Sequence, residues 1–144
     1  MNNVSTGNAG EYFVAGELER RGFTCAVPTS NTKDFDILII NRNNNKQYAI
    51  QVKTTMHKKK SWMLSKKNEK LYADNIFYVF VSLNELETPE FHVVPSKVVA
   101  EKIKEDHQNW LSVPGKNGKI HNDSSMRIFN DDDNIFLNRW DLLI

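Results

Sequence analysis

Ala49-Ile50-Gln51-Val52-Lys53-Thr54 is the stretch on which the reading of the fold turns. As a strand, it sends Ile50 and Val52 to one face and Gln51 and Lys53 to the other. One side is then apolar, and the other sets an amide oxygen beside an ammonium. The β-branched and apolar residues around it extend the strand over residues 47–55. Just upstream, Phe35-Asp36-Ile37-Leu38-Ile39-Ile40 has the same character. Asn41-Arg42-Asn43-Asn44-Asn45-Lys46 lies between the two, and because asparagine tolerates positive φ, a hairpin is expected.

Working outward, residues 7–21 are expected to form a helix that Gly22 stops. Residues 23–27 form a short strand, ended by Pro28 and the polar Thr29-Ser30-Asn31-Thr32. A short helix is expected over 65–74. The run 76–83 is apolar nearly throughout, as in a strand covered on both faces. Residues 91–94 make another strand, closed by Pro95. Ser96 is the expected N-cap of a helix to about residue 110, with Val99, Ile103 and Trp110 on its apolar stripe. Residues 114–134 look loop-like, and 135–144 are an apolar tail. This order describes one α/β domain over residues 1–144, built on a mixed sheet flanked by helices.

Its 144 residues are enough to bury a sizeable core, and 40% hydrophobic with 26% charged residues describes a globular chain. The longest apolar run, 76–81, is too short to span a bilayer. The first residues are neither basic nor apolar, so no signal peptide is expected. A lone Cys25 excludes an intrachain disulfide and suits a reducing compartment, so a cytoplasmic location is expected. His92, His107 and His121 lack the spacing of zinc ligands. Asp131-Asp132-Asp133 lacks the glycine and distal glutamate of a calcium loop and reads as acidic surface. Net charge is only +1, but it is unevenly spread. Eight lysines between Lys46 and Lys70 face one acid, Glu69. That pattern describes either an anion-binding surface or an ordinary solvated face.

Three features carry chemistry. Glu11 lies in the helical direction of Val14, Ala15 and Leu18, where an unpaired charge is costly, so it needs a partner or a function. The alternative is a capping box with Asn8. Asp36 is an acid in an otherwise apolar strand, where aspartate is depleted. Its alternative is a strand-opening residue bonded to a nearby backbone N–H. Gln51 and Lys53 share a strand face, and Asp36 on the adjacent hairpin strand can converge with Gln51 on one ion. Mg²⁺ (or Mn²⁺) favours such hard oxygen ligands, and Lys53 would orient water or offset developing charge. His57, Lys58, Lys59 and Lys60 follow the strand as candidate phosphate contacts. Trp62 and Leu64 share one face of an extended segment, with Trp62 read as core, and Ser61, Met63 and Ser65 share the other.

Together these residues resemble the PD-(D/E)XK nuclease superfamily, and within it the archaeal Holliday-junction resolvases. The resemblance rests on Thr6-Gly7-Asn8-Ala9-Gly10-Glu11, Leu18-Glu19-Arg20-Arg21-Gly22-Phe23, Asp36-Ile37-Leu38 and Ala49-Ile50-Gln51-Val52-Lys53-Thr54, about the first 55 residues. It implies a restriction-endonuclease-like core, with Glu11, Asp36 and Gln51 as metal ligands and Lys53 catalytic. Phe35 stands where the superfamily has proline, and Gln51 where it usually has an acid. A neutral amide lends an oxygen without charge, so Mg²⁺ should bind more weakly. The expected activity is Mg²⁺-dependent hydrolysis of DNA phosphodiester bonds. The alternative is a non-catalytic DNA-binding module with a decayed site. A homodimer is expected, because one small site cuts one strand.

Overall fold

The computed structural model describes residues 2–28 and 35–144. The polar stretch Thr29-Ser30-Asn31-Thr32 and the Lys33-Asp34 pair beside Asp36 fall outside the described residues. The elements run α1 (Asn3–Arg20), β1 (Phe23–Ala26), β2 (Ile37–Asn41), β3 (Gln47–Thr55), β4 (Ser61–Ser65), β5 (Ile76–Ser82), β6 (Glu90–Pro95), α2 (Ser96–Ser112) and β7 (Met126–Asn130). Short 3₁₀ turns span Lys66–Glu69, Lys116–Gly118 and Trp140–Leu143.

Five strands form a mixed sheet in the order β1-β2-β3-β5-β6. β3 and β5 are parallel, and the other neighbours are antiparallel. The β2–β3 hairpin closes through the asparagine-rich turn, where Asn45 takes φ +58°. β4 and β7 form a separate antiparallel ribbon.

Both faces of the sheet are covered. On one, Val14 and Leu18 of α1 pack on Ile37, Ile39, Ile50, Val52, Val79 and Val81, and Trp140 and Leu143 close the cluster. On the other, Tyr78, Phe80 and Val94 lie under Trp62, Leu64 and Phe129 of the ribbon and Val99 and Ile103 of α2. Phe80 stacks on Phe129 with ring centres 4.5 Å apart. Trp62 is core, as its sequence context indicates, and its Nε1 donates to the Val81 carbonyl at 2.9 Å. This double cover is why β5 is buried along nearly its whole length.

Several local expectations are corrected. α1 starts four residues earlier than its apolar pattern suggests, because the Asn2 side chain accepts from Ser5 N at 2.8 Å and caps it. Asn8 is therefore inside the helix, and the capping box with Glu11 does not exist. The helix expected over 65–74 is one 3₁₀ turn. There the Asn68 amide is tied to Ser65 N and to the Tyr78 hydroxyl. Ser96 is the first residue of α2, not its cap, and its hydroxyl bonds the backbone of Ala73. Trp110 is 44% exposed, off the buried stripe. β7 lies inside the stretch read as loop. Asp131 is buried, not acidic surface: it pairs with His92 at 2.7 Å and accepts from the backbone N–H of Ile135 and Phe136.

Candidate active site

α1 crosses β3 at close range. Its buried residues, Thr6, Gly10, Val14 and Leu18, recur every four positions, the period of one helix face. Gly10 is the point of contact, where a Cβ would lie 1.8 Å from the Thr54 hydroxyl oxygen. Glu11, next along the helix, is thereby carried to the flank of this seam, half-buried beside the start of β2.

Asp36 sits immediately before β2. Its backbone N donates to Ile50 O at 2.8 Å, and its Oδ2 accepts from Val52 N at 2.8 Å. The carboxylate thus completes a ladder position on β3 that β2 starts too late to fill. The strand-opening expectation is met, and this bond engages only one of the two carboxylate oxygens.

Glu11 and Asp36 face one another. Burial, then the charge of Asp36, then a hydrogen bond to Asp36 raise the Glu11 carboxyl from its ordinary 4.5 to about 7. The β2–β3 register pairs Ile37 with Ile50, and Asp36, just ahead of β2, bonds Ile50 and Val52, the residues on either side of Gln51. Gln51 is buried, and its amide has no hydrogen-bond partner among the described residues. Two residues on, Lys53 shares its face and is half-buried, with no ion pair among the described residues. Glu11 of α1 thus lies against Asp36 at the hairpin end, and Asp36 bonds the backbone of β3 at Ile50 and Val52, the strand that also carries Gln51 and Lys53.

The phosphate-contact candidates divide. β3 ends at Thr55, so His57 does not continue its face; it is exposed and pairs with Glu85 at 2.9 Å. Lys58 and Lys59 are exposed, whereas Lys60 is half-buried with its ammonium on the Asn134 amide oxygen. Gly10 is the positioning residue the sequence reading did not single out. Its signal was the four-residue spacing of Thr6, Gly10, Val14 and Leu18, with a glycine where the helix had to come closest.

Glu11, Asp36 and Gln51 offer two carboxylate oxygens and an amide oxygen, the hard donors a divalent ion such as Mg²⁺ takes. The fit is seen at Glu11: burial first, and then Asp36, hold its proton to about pH 7, and a cation beside the pair would favour the ionised form. Among the described residues no group of three or more His, Cys, Asp or Glu side chains is placed to hold a metal ion, and Gln51 would be the third oxygen donor beside Glu11 and Asp36.

The mixed five-stranded sheet with helices on its flanks matches the folds of two solved nucleases. A bacterial homing endonuclease is similar over 99% of this chain and 91% of its own, with a TM-score of 0.59 and 13% identity. Hjc, a Holliday junction resolvase from the archaeal hyperthermophile Archaeoglobus fulgidus, is similar over 87% of this chain and 84% of its own, with a TM-score of 0.52 and 13% identity. No protein-family model matches the sequence, and no curated protein matches it. Among the described residues no helix is long and apolar enough to cross a membrane.

Proposed function

We propose that this protein is a Mg²⁺-dependent DNA endonuclease whose site comprises Glu11, Asp36, Gln51 and Lys53. The observation that carries the reading is Glu11 set against Asp36, whose backbone and carboxylate bond β3 at Ile50 and Val52, on either side of Gln51 and just before Lys53. Likeness in fold to a homing endonuclease and a junction resolvase supports it.

Glu11, Asp36 and Gln51 would hold Mg²⁺ or Mn²⁺, which supplies Lewis-acid polarisation of the scissile phosphate. The chain's own groups do the rest. Asp36 is fixed by two hydrogen bonds to β3, so its position is set before substrate arrives. Lys53 offers three N–H donors on the same face, able to orient the attacking water or to offset charge gathering on the phosphate. Lys58 and Lys59 extend this positive character beyond the strand and contact backbone phosphates. A homodimer would place two such sites on the two strands of a duplex or junction.

The alternative is a DNA-binding module in which Gln51 marks a lost metal site. Calorimetric titration with Mg²⁺ and with Mn²⁺, beside incubation with branched, nicked, linear and supercoiled DNA, separates the two. Metal binding together with metal-dependent cleavage is expected. DNA binding indifferent to metal, with every substrate intact, would establish the module instead.

A further inference from the structure

The outer surface of the β4–β7 ribbon has no role in the site above. Trp62, Leu64 and Phe129 point inward, onto the sheet face that also carries Gln51 and Lys53, since those two pair in register with Tyr78 and Phe80. Alternation then sends Ser61, Met63 and Ser65 of β4 and Met126, Ile128 and Asn130 of β7 to the opposite side. The open face of an antiparallel ribbon is ordinarily polar. Here Met63, Met126 and Ile128 are 69%, 47% and 45% exposed, with Met63 directly across from Ile128.

Charge at the two ends says what covers this strip. Lys58 and Lys59 lie just before β4, Lys66 and Lys67 just after it. All four are exposed, and none has an ion pair among the described residues. Between the two groups lie Lys60 and the five residues of β4, which alone span roughly 17 Å at about 3.3–3.4 Å per residue. Apolar side chains and small polar groups between two cationic ends suit a groove bordered by two phosphate rails. A major groove about 12 Å wide admits a two-stranded ribbon. The exposed Asp132 and Asp133, next to the Lys60 end, bias the fit toward a docking in which Lys66 and Lys67 carry more of the phosphate contact.

We propose that the β4–β7 ribbon seats in the groove of duplex DNA, with Met63, Ile128 and Met126 against base edges and the flanking lysines on the phosphates. The inference rests on the DNA reading of the preceding subsection. Through the loop 56–60 the ribbon follows directly from the strand that carries Lys53, so groove contact and the candidate site would serve the same duplex.

A photoreactive benzophenone amino acid placed at position 63, at 128, or at the exposed α2 residue Lys104 tests this on the full chain with labelled duplex DNA. The expected result is crosslinking to DNA from 63 and 128, suppressed by unlabelled duplex, and little from 104. Lys66→Ala with Lys67→Ala should also reduce the salt slope of binding by about 2, since each phosphate contact contributes about 0.9. DNA retained by all three labelled proteins without crosslinks from the ribbon would overturn the ribbon assignment and leave the nuclease reading standing. Crosslinks from position 63 to a second protein chain would replace DNA with a copy of this protein as the occupant. A wild-type chain that neither binds nor cuts DNA would overturn both.

Discussion

Glu11 keeps its proton to about pH 7 in the folded chain and to about 4.5 when its partners are gone. Between those values the folded state binds more protons than the unfolded one, so stability falls as pH rises through the window. In chelator, Glu11→Gln should therefore melt higher than wild type at pH 8, and the gain should vanish below about pH 4.5. A melting difference that does not change with pH would separate Glu11 from Asp36. Added Mg²⁺ should reduce the gain, because a cation favours the ionised pair. Gln51 is the other informative position. Gln51→Glu adds a third carboxylate between the two β3 residues that Asp36 bonds, so it should lower the Mg²⁺ concentration needed for half-maximal cleavage and destabilise the metal-free chain at pH 8. A variant that melts lower in chelator and binds Mg²⁺ no better would remove Gln51 from the site.

Glu11 can meet Asp36 because α1 lies tightly on β3, and Gly10 permits that approach. Alanine is the better helix former by about 1 kcal/mol. Gly10→Ala should nevertheless destabilise the protein by roughly 1–3 kcal/mol, because the added carbon overlaps Thr54. Cleavage should fall with it, since α1 must shift and carry Glu11 away; chemical denaturation and a cleavage assay on one preparation read both. Adding Thr54→Ala should recover part of each. An unaltered Gly10→Ala protein would contradict the seam. These elements also show what the sequence made legible. β3 was read to its ends because its apolar and β-branched residues alternate cleanly with Gln51 and Lys53. β7 was missed because its inward face carries a charge: Arg127 is buried and paired with Glu69. Asp131 misled for the same reason, its buried partner His92 lying 39 positions away. The start of α1 was hidden by its polar first turn and by Gly7, a poor helix former, and the reason for Gly10 appears only when β3 is in place. Glu11, Asp36, Gln51 and Lys53 could be named individually, but the Glu11–Asp36 contact spans a helix and a hairpin that no local pattern joins.

Across the whole molecule the charge is almost balanced, so any hold on DNA must come from where the lysines sit. Lys58 and Lys59 project freely, while Lys60 is engaged by Asn134. Replacing Lys58 and Lys59 with alanine should lower the salt slope of DNA binding by about 2, at about 0.9 per lost phosphate contact. Lys60→Ala should leave the slope nearly unchanged. Equal effects from all three would mean that Lys60 leaves Asn134 on binding.

The central claim is that Glu11, Asp36, Gln51 and Lys53 make one hydrolytic site, and Asp36 tests it most directly. Asp36→Asn keeps an oxygen to accept from Val52 N and removes the charge, so the fold should survive where Asp36→Ala would strand that N–H. The measurement is cleavage of supercoiled and branched DNA in Mg²⁺ by wild type and Asp36→Asn, purified side by side and matched for melting behaviour. The account predicts that the wild type cuts at least one substrate and that the folded variant cuts none. Equal cutting by the two proteins, or no cutting by the wild type on any substrate with Mg²⁺ or Mn²⁺, would contradict it.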